Sequence, residues 1–215
     1  MEGTRTKGSK RILRDMGMRE DVLFIHIPKT GGTTVWNALG IEKIRNAQVS
    51  DVPPRKTGKI SFGHGIYRDM LGIDLVTPEF LERAYVFSFV RNPYDRTVSH
   101  WAFSCNTRKF GMYKGFPFGE YIKKGGYMQT LSNHRPQTTF LKDGDFDYIG
   151  RMETFAEDLK EIARQIGMGE IEVPHKNKGQ RKPYREVIQP QHAEIIEEFY
   201  RRDFEELGYE YEEFE

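Results

Sequence analysis

The chain has 215 residues, with 33 Lys and Arg against 32 Asp and Glu, so its net charge of +1 provides no global field for nucleic acid, and none is expected as a partner. A single cysteine, Cys105, excludes an internal disulfide and a cysteine-based zinc site, and no apolar run approaches the ~20 residues of a membrane span. Such a length suits one domain with a sizeable core.

Residues 1–20 read as a flexible basic arm, carrying Arg5, Lys7, Lys10, Arg11 and Arg14 with no apolar stretch behind them and hence no secretory signal. Residues 21–215 read as a single domain. An apolar strand over Val22–Ile27 ends in the turn Lys29-Thr30-Gly31-Gly32-Thr33-Thr34, and a helix is expected over Thr33–Leu39. That order suits a phosphate cradle. The strand fixes the loop, Gly31 and Gly32 let backbone N–H groups approach an anion, and the helix start adds its positive dipole end. Lys29 supplies a point charge, and the hydroxyls of Thr30, Thr33 and Thr34 supply further donors. In the Walker pattern the Lys follows the glycines; here it precedes them, which weakens a kinase or ATPase reading.

Ala47 to Lys59, with Pro53-Pro54, reads as a loop, and a short strand over Lys59–Phe62 leads to the turn Gly63-His64-Gly65. Thr77 is placed as an N-cap with Pro78 at the first helical position. A buried strand over Ala84–Val90 precedes Arg91-Asn92-Pro93-Tyr94-Asp95-Arg96, and a helix follows from Tyr94 to about Ser104. Arg91 then stands at the carboxyl end of a strand and Ser99 about two turns into the helix, where α/β folds bind anions. Two strand–turn–helix units that each end in anion donors imply a ligand with two separated phosphate-like groups.

The stretch from Asn106 to Leu141 mixes Gly, Pro and aromatic residues. It reads either as an acceptor-side wall or as a loop-rich cap with its own aromatic core. A strand over Tyr148–Met152 and an amphipathic helix over Phe155–Ile166 follow. Glu153 reads as a buried carboxylate paired with Arg151, and Arg96 as a partner of Asp95 or a residue of the helix surface. Pro174 to Tyr184 is a basic loop containing Lys176, Lys178, Arg181 and Lys182. The last helix is expected from about Gln191 to Phe204, and Glu210, Glu212, Glu213 and Glu215 form a solvated acidic end. His26 is expected to be packed and hydrogen-bonded, His100 to face away from the ligand while serving as the backup candidate for a base, and Cys105 to be a small apolar residue on the helix after Pro93. Strands alternating with helices predict an α/β chain, a three-layer P-loop-like fold with a short central parallel sheet flanked by helices.

Taken together, Pro28-Lys29-Thr30-Gly31-Gly32-Thr33-Thr34 and Arg91-Asn92-Pro93-Tyr94-Asp95-Arg96 with Ser99 resemble the PAPS-dependent sulfotransferases, and in particular the branch acting on carbohydrate hydroxyls that includes the uronyl 2-O-sulfotransferases. Ile60-Ser61-Phe62-Gly63-His64-Gly65, Asp147 to Leu159 and Tyr200 to Tyr209 are similar to further segments of that family, so the likeness spans roughly Val22 to Tyr209.

The resemblance implies that Lys29 to Thr34 hold the 5′-phosphosulfate of PAPS and that Arg91 and Ser99 hold its 3′-phosphate. Arg181 and Lys182, in the basic loop, are read as closing over the 3′-phosphate, as binding an anionic substrate, or as part of a solvated basic run. It implies His64 as the base that takes the acceptor's proton and Lys29 as the cation beside the leaving group, with PAP as product and no metal. The acceptor is then a hydroxyl on a glycan or a glycosylated small molecule. Golgi members of the family carry a membrane anchor, so its absence here leads us to expect a cytoplasmic bacterial or viral enzyme. Two other classes share part of the pattern. A P-loop kinase of small molecules or nucleotides would require Mg²⁺, and a non-catalytic nucleotide sensor would keep Lys29 and Arg91 without needing His64.

Overall fold

A computed structural model of the chain describes residues 20–44, 56–62, 64–67, 75–106, 115–123, 131–173 and 181–215. The basic arm up to residue 19, the Pro53-Pro54 loop, Gly63 and the Lys176–Gln180 part of the basic loop lie outside them. The described residues fall into two compact units, one from Met1–Val90 and Phe140–His175, the other from Arg91–Thr139 and Lys176–Glu215.

The first unit is built on a parallel sheet. In chain order its strands are β1 (Val22–Ile25), β2 (Glu42–Ile44), β3 (Lys59–Phe62), β4 (Tyr85–Val90) and β5 (Tyr148–Arg151), and in space they run β2-β3-β1-β4-β5. Every pairing is parallel: Val22 lies opposite both Lys59 and Tyr85, Ile25 opposite Ser88, and Val90 opposite Arg151. The apolar β1 and β4 are buried along their whole length, as central parallel strands covered on both faces must be. Helices α1 (Gly32–Leu39) and α7 (Phe155–Gln165) bring Val35, Leu39, Leu159, Ile162 and Ala163 onto Val22, Phe24, Phe87 and Phe89 of one face. Phe24 and Phe87 stack at 4.9 Å across the β1–β4 pair. Helix α2 (Pro78–Arg83) starts as its sequence predicts, with Pro78 first and the Thr77 hydroxyl accepting the Phe80 N–H at 3.2 Å. Since β3, β1 and β4 are parallel neighbours, the chain leaves all three at one edge of the sheet, where anion-binding turns of α/β folds are made.

The second unit is helical: α3 (Pro93–Asn106), α4 (Phe118–Lys123), α5 (Leu131–His134), the first residues of α6 (Gln137–Leu141), α8 (Pro190–Phe199) and α9 (Arg201–Leu207). Its core gathers Tyr94, Val98, Phe118, Tyr121, Ile122, Ile196, Tyr200 and Phe204. Within the 106–141 stretch, Phe116, Phe118 and Tyr121 thus pack into this core, while Phe110, Tyr113 and Tyr127 lie outside the described residues. The expected last helix is two helices. Tyr200 is buried, its hydroxyl donates to the His134 carbonyl at 2.9 Å, and its backbone leaves the helical region at φ −105° and ψ 20°.

Candidate active site

The candidate residues fall on both units. After β1, the chain stays buried through His26, Ile27 and Pro28 to Lys29, whose φ of 71° is left-handed, as is that of Gly31 at 76°. A lysine rarely adopts that region, so the surrounding packing must impose it. The two left-handed residues turn the strand into α1 within a few positions. Thr30, between them, is fully buried and donates its hydroxyl to the Ile27 carbonyl at 2.7 Å. That hydroxyl, expected from the sequence to face an anion, is instead spent inside the turn, and Thr30 retains its N–H for such a role.

The Gly31 carbonyl accepts the N–H groups of Thr34 at 2.9 Å and Val35 at 3.2 Å. The N–H groups of Gly32 and Thr33 are then those that helix geometry leaves without a carbonyl one turn earlier. They sit at the positive end of the α1 dipole, with Thr33 exposed and Thr34 half-buried beside them. A methyl added at Gly32 would collide with the His26 ring, and one at Gly31 would stand 2.9 Å from the Phe155 ring and 3.1 Å from the Met152 sulfur. Both glycines are therefore required by packing as well as by access to the backbone.

His64 follows β3 and is also left-handed, with φ 57°. Its ring lies 5.0 Å from that of His26, which in turn meets the edge of Trp36 at 4.6 Å. Lys43 places its Nζ 4.0 Å above the Trp36 ring. His26 is 7% exposed. Burial, then neighbouring His64, Lys43 and Lys29, hold its pKa well below the usual imidazole range, so it is neutral at physiological pH. Its Nδ1 has no hydrogen-bond partner among the described residues, contrary to the expectation for this position. The loop, His64 and this neutral imidazole form one cluster in the first unit.

In the second unit, Arg91, Asp95 and Ser99 recur four residues apart and are half-buried, while Arg96, Thr97, Val98 and His100 between and beyond them are buried. They share one face of the α3 start. Arg91 grips one Asp95 oxygen through Nε at 2.7 Å and a terminal nitrogen at 2.6 Å, and Arg181 takes the other oxygen at 2.5 Å. One carboxylate thus holds two guanidiniums, leaving a local excess of positive charge. Lys182 is exposed. Gln137, fully buried, clamps the backbone of Arg91 from both sides: its side-chain oxygen accepts the Arg91 N–H at 2.9 Å, and its nitrogen donates to the Arg91 carbonyl at 2.8 Å. Asp203 in turn accepts the Gln137 and Thr138 N–H groups at 2.8 and 3.0 Å. Sequence reasoning missed both: Gln137 stands in no motif, and Asp203, though inside the Tyr200 to Tyr209 segment, reaches partners more than 60 residues away.

Several expectations change. Arg96 is buried and donates to the carbonyls of Arg135 and Asn133, so it is neither a surface residue nor the partner of Asp95. Glu153 is exposed rather than buried, and the backbone N–H of Arg151 donates to Asp158 at 2.7 Å. His100 is buried, its Nδ1 within 3.0 Å of the Tyr121 hydroxyl and 3.2 Å of the Ser104 hydroxyl. Burial raises the Cys105 pKa, in keeping with a packed thiol. Among the described residues no group of three or more His, Cys, Asp or Glu could hold a metal, and no helix is long and apolar enough to cross a membrane.

The fold and these clusters can be set beside known proteins. A mouse sulfotransferase, SULT7A1, solved in complex with PAP, superposes with a TM-score of 0.56 at 11% identity, covering 86% of this chain and 84% of its own. A sulfotransferase from Alicyclobacillus acidocaldarius is similar over 88% of this chain and 94% of its own, at 14% identity and a TM-score of 0.41. No curated protein sequence matches the chain significantly. The model of the Sulfotransferase family matches residues 15–210, a span that contains the loop after β1, the turn after β3 and the Arg91 segment, and the chain belongs to that family.

Proposed function

We propose that the protein transfers the sulfuryl group of PAPS to a hydroxyl of a carbohydrate, by in-line displacement. The observation that carries this reading is the turn from β1 into α1, where Lys29 stands in a left-handed conformation ahead of two glycines that tolerate no side chain. Such a turn offers a cation and free backbone donors to a phosphate and matches the order of the family's loop. PAPS, when bound, supplies the sulfuryl group, and its adenosine 3′,5′-bisphosphate part leaves as PAP. The SULT7A1 complex with PAP supports the choice of donor.

In this reading Lys29, the N–H groups of Thr30 to Thr33 and the hydroxyls of Thr33 and Thr34 hold the 5′-phosphate, and Arg91, Ser99 and the Arg181–Lys182 pair take the 3′-phosphate. Lys29 acts most strongly as the bridging oxygen gains negative charge, stabilising the transition state beyond the ground state. His64 accepts the proton of the acceptor hydroxyl as that oxygen bonds to sulfur, a task suited to an imidazole. His26, held neutral beside it, adds no positive charge to oppose the imidazolium that forms at His64. A titration of PAP, ATP and GTP with and without Mg²⁺ tests the donor: PAP should bind most tightly and without regard to the metal. Tightest binding of ATP with Mg²⁺ would point to a kinase instead.

A further inference from the structure

Of the acidic end expected to be solvated, Glu210, Glu213 and Glu215 are exposed, but Glu212 is docked. The Glu212 side chain is 15% exposed and pairs with Arg185 at 2.7 Å. It accepts the Tyr184 hydroxyl at 2.8 and 3.1 Å on its two oxygens and the Asn92 side-chain nitrogen at 3.3 Å. Its own N–H donates to the Tyr94 hydroxyl at 3.3 Å. Phe214 packs edge-on against Tyr94 at 4.9 Å and against Tyr184 at 6.5 Å. Burial and the Glu212 carboxylate push the Tyr184 hydroxyl up to about 12, so it remains a donor throughout the physiological range.

These partners come from two segments of the same unit. Asn92 and Tyr94 open α3, directly after Arg91; Tyr184 and Arg185 lie three and four residues after Arg181. Asp95 joins the two segments once, through both guanidiniums. Glu212 joins them a second time. Asn92 is the pivot of that second brace. Its side-chain oxygen accepts the Tyr94 N–H at 2.9 Å and caps α3, so its side-chain nitrogen is left to be given to Glu212, which fixes the plane of the amide.

We propose that Glu212 is a positioning residue for the 3′-phosphate cations: by bracing the Arg91–Asp95 segment to the Arg181–Arg185 segment, it presents both guanidiniums ready for the ligand. This rests on the reading of Arg91 and Arg181 given above. Pre-organised cations spare a ligand the cost of ordering them, so the brace contributes to affinity without touching the nucleotide. The effect falls only on ligands that carry a 3′-phosphate.

The test is the ratio of affinities for PAP and adenosine 5′-monophosphate, which lacks that phosphate, measured by calorimetry on the intact protein and its variants. Glu212→Ala should weaken PAP roughly tenfold, the scale of one charge-assisted hydrogen bond, while leaving the monophosphate within about twofold. Glu212→Gln keeps an acceptor for Asn92 and Tyr184 and should recover part of the loss. Tyr184→Phe, which removes only a hydroxyl, should lower the ratio in the same direction and serves if the alanine variant does not fold. A native protein that binds the two nucleotides equally overturns the 3′-phosphate reading itself. Native discrimination that survives undiminished in the folded variants, or losses that strike both nucleotides alike, overturns the role of Glu212.

Discussion

The loop after β1 and the start of α3 both collect positive charge, but they hold it by different means. In the first unit the backbone does the work: Lys29, Gly31 and His64 are left-handed, and Gly31 and Gly32 have no room for a side chain. In the second unit side chains do it, with Asp95 between Arg91 and Arg181, Gln137 on the Arg91 backbone and Glu212 bracing the two segments. A backbone-built site is rigid and stores strain, which suits groups that must meet a transition state. An ion-paired site shares its charge with a carboxylate, which suits ground-state binding and release. The proposed roles follow that division: the first group should govern turnover, the second affinity.

Substitutions can break or sharpen this contrast. The largest effect is expected from His64→Ala, which should lower sulfuryl transfer by ~10²–10⁴-fold while PAP binding survives, since a base acts on the acceptor. The native rate should rise with pH through a single histidine-range limb, and that limb should disappear in the variant. Next comes Lys29→Ala. Turnover should fall on the order of 10²-fold with PAP affinity kept within an order of magnitude, the pattern of a lost oxyanion-type contact. Loss of affinity at an unchanged saturated rate would move Lys29 to the binding side of the comparison.

In the second unit the pattern should invert. Arg91→Ala should cost ~1.5–3 kcal/mol of PAP affinity and Ser99→Ala ~0.5–1.5 kcal/mol, with saturated turnover little changed in either. Equal small losses would count against the assignment of the 3′-phosphate to this face.

The smallest effect at neutral pH concerns stability. Burial, then the charge of Arg96, lowers the His134 pKa to about 3, and His134 packs against His100 and bonds the Tyr121 hydroxyl at 3.2 Å. Its folded pKa is depressed, so between about 3 and the ordinary ~6.5 the unfolded chain binds the extra proton. Stability from this site is complete above that window and is lost as pH falls through it. His134→Gln should flatten the acid limb of a Tm-against-pH curve; a parallel curve would show that other groups set it.

Much of the first unit was legible because its signals are local. The apolar runs of β1 and β4, the Thr77-Pro78 cap and the Lys-Thr-Gly-Gly turn each announce themselves within a few residues. β2 did not, being three residues long with Glu42 and Lys43 exposed. The second unit hides its logic in sequence distance. Gln137 clamps a backbone 46 residues away, and Glu212 reaches Asn92 across 120 residues. No local pattern marks either, which is why the acidic end reads as solvent-facing and the helix over 191–204 as unbroken at Tyr200. Thr30 shows a subtler failure: its residue type suits an anion-binding loop, but only the fold reveals its hydroxyl turned toward the Ile27 carbonyl.

The central claim is sulfuryl transfer without a metal, and product analysis tests it most directly. The protein is incubated with PAPS, a metal chelator and a panel of glycans and simple alcohols, and PAP and sulfated product are quantified together by mass spectrometry. The account predicts PAP and a sulfated carbohydrate in equal amounts, with the rate of formation of both lowered ~10²–10⁴-fold by His64→Ala. A folded protein that binds PAP yet forms no sulfated product on any hydroxyl would contradict it.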